Sequence, residues 1–147
     1  MAPEKAVAKT ITIHAPAAKV WEALTHPQFI EAWLTENGTT TISSDWKIGS
    51  PILFTGIWHK IKYTDKGTIL QFEPEKVLAY SYWSKFSRLP DRLENYSVIE
   101  FRLTPVENQT LLTLTHSNLV AEGMVGHTNF YWNSTLNRIS ERVEARS

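Results

Sequence analysis

The chain has no cysteine. That single absence removes disulfide scaffolding, thiolate catalysis, Cys-ligated zinc and iron–sulfur clusters together. It also lacks an excess of either charge: Lys+Arg and Asp+Glu number 15 each, so no overall field draws in phosphate backbones or anionic lipid. No apolar run approaches the ~18 residues of a spanning helix, and the opening MAPEKAVAKT lacks the apolar stretch of a secretory signal. The expectation is a cytoplasmic chain with neither nucleic acid nor membrane as partner. Four Asn-x-Ser/Thr triplets, starting at Asn37, Asn95, Asn108 and Asn133, then read as polar turn and helix residues rather than glycan acceptors. No glycine-rich phosphate loop, GxSxG elbow or HExxH pair is present. The five histidines, His14, His26, His59, His116 and His127, show no i, i+4 pairing. Neither a cofactor nor a metal is expected.

What is abundant is aromatic: six Trp, five Tyr and six Phe in 147 residues. Rings in that number need a thick core or a concave apolar surface to cover them. The length suits one domain, residues 1–147, with a core that needs no staples.

VAKTITI, from Val7 to Ile13, alternates apolar and polar positions as a half-buried strand does. Pro16 then opens a helical stripe of Val20, Trp21 and Leu24, over about 17–25. After His26-Pro27 a second short stripe of Phe29, Ile30, Trp33 and Leu34 runs to Asn37-Gly38. Six strand-like runs follow: TTTISSDW, SPILFTGIWHKIKY, GTILQF, KVLAYSYW, YSVIEFRL and TLLTLTH. They are divided at Ile48-Gly49, Asp65-Lys66-Gly67, Glu73-Pro74-Glu75 and 105–108. Connections this short predict antiparallel hairpins. From about 122 the period turns helical, with Val125, Trp132, Leu136, Ile139 and Val143 on one stripe. A large antiparallel sheet and one long helix to cover it make an α+β domain.

These segments, in this order, resemble the bacterial Hsp90-ATPase-activator-homologue-like proteins of the START/polyketide-cyclase superfamily. The likeness runs from about Val7 to Val143 and is carried by ITIHAPAAKVWEALTHPQFIEAWL, DWKIGSPILF, EPEKVLAYSYW, PDRLENYSVIEFRL, TLLTLTHSNL and GHTNFYWNSTLNRI. Tyr131 stands where similar sequences carry glycine before the helix tryptophan. The resemblance implies a helix-grip fold, a curved sheet around the long helix, often with an apolar pocket between them. It implies no single activity.

Period two assigns the inward faces: Leu78, Tyr80 and Tyr82; Ile99, Phe101 and Leu103; Leu112, Leu114 and His116. Phe54, Trp58 and Trp46 extend this surface, with Gly56 leaving the phase beyond it open. On the long helix Trp132 and Leu136 face the sheet, with Asn129 one turn earlier. The candidate ligand-contacting set is therefore Trp46, Phe54, Trp58, Tyr80, Tyr82, Phe101, His116, Asn129 and Trp132. His116 reads either as a ligand-orienting, titrating group or as a core histidine satisfied by a neighbour. His127, near the start of the final helix, is a cap, a partner of a neighbouring group or a group at the pocket mouth. Glu100 and Arg102 read as a solvated pair on the opposite face. Arg88, Asp91 and Arg92, in the irregular stretch 84–95, are an ordinary solvated loop or a selector of anionic groups.

The leading expectation is binding of a small hydrophobic or aromatic molecule between sheet and helix. A small-molecule enzyme (cyclase, dehydratase or hydrolase) on the same pocket and a chaperone ATPase partner remain alternatives.

Overall fold

A computed structural model describes residues 5–34, 40–121 and 123–146. β1 (Val7–Ile13) is followed by α1 (Ala17–Thr25) and α2 (Pro27–Leu34). Then come β2 (Thr41–Ser44), β3 (Pro51–Trp58), β4 (Ile61–Glu73), β5 (Val77–Tyr82), β6 (Ser97–Val106) and β7 (Gln109–Ser117), and finally α3 (Met124–Arg146). The strands form one antiparallel sheet in the order β1-β7-β6-β5-β4-β3-β2. Each consecutive pair from β2 to β7 is therefore a hairpin neighbour. β1 alone returns from the start of the chain to pair with β7, Val7 opposite His116 and Ile13 opposite Thr110.

One boundary differs from the sequence expectation. The β3–β4 reversal falls at His59-Lys60, both left-handed (φ 48° and 67°), with Trp58 paired to Ile61. Two left-handed residues match the twist of a two-residue hairpin. Asp65-Lys66-Gly67, expected as a turn, lies inside β4. There Gly67 lets the chain cross the Ser81 carbonyl so closely that an added Cβ would sit 1.6 Å from the oxygen. A register shift between Ile69 and Gln71 then turns Phe72 inward against Leu78.

The core lies between the inner sheet face and the helices. Ile52, Phe54, Ile69, Leu78, Tyr80, Ile99, Phe101, Leu103, Leu112 and Leu114 are all buried on that face. Thr128, Trp132, Thr135, Leu136, Ile139 and Val143 are the buried positions of α3. The α3 stripe thus begins at Thr128 rather than at Val125, which is exposed. α3 also holds α2 by its end: the Arg138 Nε–H donates to the Trp33 carbonyl at 3.0 Å and the Tyr131 hydroxyl to the Leu34 carbonyl at 2.8 Å. These are the C-terminal carbonyls that a helix cannot satisfy internally.

Candidate functional site

The inner face divides into a closed half and a polar half. In the closed half Phe101 packs edge-on against both Trp33 (6.2 Å between centroids) and Trp132 (5.6 Å). The Trp132 indole N–H donates to His116 Nδ1 at 3.1 Å. That bond makes Nδ1 the acceptor, so Nε2 carries the proton and donates to Ser97 Oγ at 2.8 Å. The Ser97 hydroxyl continues the chain to the Tyr82 carbonyl at 3.3 Å. His116 is therefore a satisfied core histidine, and burial drives its pKa down to about 4. It does not titrate near neutrality, and both ring nitrogens are committed.

A pH prediction follows from this. Between pH 6.5 and about 4 the unfolded chain binds a proton at this position that the folded chain refuses, so folding stability falls as pH falls through that window. The expected loss from this site is about 2–3 kcal/mol by pH 4. Urea titrations at pH 7 and pH 4 check it, with His116→Gln removing most of the difference.

The polar half lies toward the β3–β4 hairpin. Phe54 contacts Tyr80 (5.9 Å) and Tyr82 (5.5 Å, edge-on). Opposite Phe54 in the register stands Asp65, only 6% exposed. The Tyr82 hydroxyl donates to Asp65 Oδ2 at 2.5 Å, while Asp65 Oδ1 is buried with no hydrogen-bond partner among the described residues. Burial pushes the Asp65 carboxyl above the ordinary carboxylate range, against smaller opposing pulls from the Tyr82 and Ser84 hydroxyls and the Lys85 ammonium. Burial likewise raises the Tyr80 and Tyr82 hydroxyls, and takes Tyr131 up to about 12. Tyr80, Tyr82 and Tyr131 lie near enough to influence one another electrostatically. Two positions before Asp65 on β4, Tyr63 bonds Thr40 Oγ1 at 2.7 Å, and Phe86 packs edge-on against Tyr63 and Trp58.

Six of the nine expected contact residues, Phe54, Tyr80, Tyr82, Phe101, His116 and Trp132, thus share the inner face, though only the first three border the polar half. Trp46 is half-buried and packs on Phe72. Trp58 keeps its strand phase, but β3 has run past the core by that point and leaves it 55% exposed. Asn129 faces solvent. Thr128, four residues before Trp132, takes the buried position, because i−4 lies closer to the same stripe than i−3. Two surface depressions, of about 510 and 470 Å3, lie elsewhere. The first is on the outer sheet face between Leu53, Leu70, Leu93 and Val98; the second lies between β1 and Asn133 and Asn137 of α3. None of the nine residues lines either one.

Among the remaining candidates, His127 is exposed. Glu100 and Arg102 pair with each other along β6 at 2.9 Å, on the solvent face. Asp91 is committed to Lys66 and to the Tyr96 hydroxyl, and Arg92 lies 3.9 Å from Glu94. Residues 84–95 form two short 3-10 turns, Lys85–Ser87 and Leu93–Asn95. The triplet at Asn37 lies outside the described residues. Asp65 itself was hidden by the turn expected there. Had the reversal been placed at His59-Lys60, Tyr63, Asp65, Gly67 and Ile69 would have fallen on one side at period two. Among the described residues there is no cluster of three or more His, Asp or Glu able to hold a metal ion. No described helix is long and apolar enough to cross a membrane.

An antiparallel sheet in this order, closed on a long C-terminal helix with two short helices after the first strand, is the helix-grip fold. Solved relatives share it. A Cytophaga hutchinsonii protein known from its solution structure is 36% identical, with a TM-score of 0.84 over 99% of this chain and 98% of that one. A Mesorhizobium loti protein is 24% identical, with a TM-score of 0.76 over 97% and 98% of the two chains. The Aha1 dimer from Colwellia psychrerythraea is 24% identical, with a TM-score of 0.73 over 95% and 96%. No curated protein matches. The family described as "Activator of Hsp90 ATPase homolog 1-like protein" matches residues 14–144, and the chain belongs to it.

Proposed function

We propose that this chain binds a small, mainly apolar molecule at the polar half of the inner sheet face, against Phe54, Tyr80, Tyr82 and Tyr131. The observation that carries the reading is Asp65 Oδ1. A buried carboxylate oxygen without a donor is costly and rare in native proteins. Here it is flanked by rings that offer flat apolar area and by hydroxyls that orient a polar group. The same pair, Tyr82 and Asp65, would hold a donor and an acceptor on any reacting molecule, so turnover would use these two groups rather than His116.

The test follows thermal unfolding and intrinsic fluorescence against a panel of aromatic and aliphatic small molecules. A ligand at ~100 times its dissociation constant is expected to stabilise the fold by about 2.7 kcal/mol. Tyr82→Phe should weaken that ligand and, by orphaning Asp65 Oδ2, also cost the unliganded fold about 1–3 kcal/mol, so the ligand's effect is read as the shift on binding within each variant. No shift with any compound would overturn the reading. A second reading, a chaperone ATPase as partner, is favoured by the outer-face depression and its exposed leucines, Leu53, Leu70 and Leu93. Stimulation of the cognate Hsp90-type ATPase, lost in Leu70→Asp, would support it.

A further inference from the structure

The polar half carries a charge that its walls balance only in part. Asp65 Oδ2 has the Tyr82 hydroxyl, a neutral donor, and Oδ1 has no partner in hydrogen-bond geometry. The Ser84 hydroxyl and the Lys85 ammonium pull on the carboxylate less than burial opposes its charge, and the two nearby ammonium groups make their own contacts elsewhere. Lys85 is exposed and donates to the Lys62 carbonyl at 3.1 Å. Lys66, next to Asp65 in the strand, points to the opposite sheet face, where it pairs with Asp91 and lies over the Trp83 ring. The surfaces closest to Asp65 are instead aromatic: its register partner Phe54 and its hydrogen-bond partner Tyr82.

We infer, on the reading that this site takes a small molecule, that the ligand carries a protonated nitrogen on an apolar body, its N–H donating to Asp65 Oδ1 and its charge lying against the neighbouring rings. A neutral donor would supply the hydrogen bond but leave a buried negative charge uncompensated. An anion would add to that charge. An ammonium or amidinium satisfies the oxygen with a charge-assisted bond, cancels the charge, and meets the negative ring faces favourably. The raised Asp65 pKa agrees with this, since the folded chain already favours any change that neutralises the group.

The experiment titrates the full chain calorimetrically with two matched series, each keeping one body and changing the charge. The first is 2-phenylethylamine, 2-phenylethanol and 3-phenylpropionate; the second is tryptamine, tryptophol and indole-3-propionate. The amine of a series is expected to bind about tenfold or more tighter than its alcohol, with the carboxylate weakest. Asp65→Asn should bring amine and alcohol to near parity, chiefly by weakening the amine. The wild-type series decides the matter even if that variant folds poorly. An alcohol or carboxylate binding as tightly as its amine overturns the charge assignment and leaves the binding site standing. No binding by any of the six overturns both.

Discussion

Replacing Trp132 by alanine is expected to cost about 4–6 kcal/mol, enough to leave the domain marginal at room temperature. The ring is 2% exposed and packs edge-on against Phe101, His116 and Tyr131, so its removal opens a cavity at the centre of the helix–sheet contact. Deleting a buried tryptophan alone costs about 3–5 kcal/mol. The remainder comes from His116, whose Nδ1 loses its donor in a place water does not reach. Trp132→Phe is the intermediate case, since it keeps a six-membered ring but loses the N–H and part of the indole. It should cost about 2–3 kcal/mol, from the orphaned acceptor and the smaller cavity together. Urea denaturation of the three proteins tests this; a loss below about 1 kcal/mol for Trp132→Ala would show that the contact does not hold α3 to the sheet.

Gly67→Ala is expected to be the next most damaging change, at about 3 kcal/mol. The added methyl would meet backbone on the facing strand, 1.6 Å from the Ser81 oxygen and 2.5 Å from its carbonyl carbon. Neither atom can move without parting β4 from β5. That would strain the two bonds between Lys66 and Trp83, at 3.0 and 2.8 Å, and the bond from the Thr68 N–H to Ser81 Oγ at 2.9 Å. Gly56 is the natural control. A Cβ there comes 2.6 Å from the Tyr63 hydroxyl, but a tyrosine side chain can swing aside at the expense of its Thr40 bond, so Gly56→Ala should cost about 1–2 kcal/mol. Equal urea midpoints for the two variants would refute the distinction between backbone and side-chain obstruction.

Much of this architecture is visible in apolar spacing. Both short helices, the antiparallel order and the inward rows on β5, β6 and β7 follow from period and turn chemistry, because one buried face forces each strand into a single phase. Three features escaped for local reasons. Asp-Lys-Gly at 65–67 has turn composition, yet its aspartate is turned to the interior and its glycine serves a close strand crossing. Trp58 keeps the inward phase but extends beyond the core, and nothing in an alternating run tells where the covering helix stops. Asn129 and Thr128 differ by one position on a helix, and only the angle to Trp132 separates them. The candidate site suffered most from the first of these, since its one buried carboxylate sits in the misread segment.

β1, the first strand, pairs only with β7, the last one, and the carbonyls that end α2 are held by Tyr131 and Arg138 from α3. Contacts spanning roughly a hundred positions therefore complete the packing of both early elements, and non-local closure of this kind slows folding relative to a chain of local contacts. During synthesis residues 7–34 would leave the ribosome long before their partners exist. The amphipathic segment Phe29–Leu34, with Trp33 among its apolar groups, is the stretch most exposed to premature association in that interval.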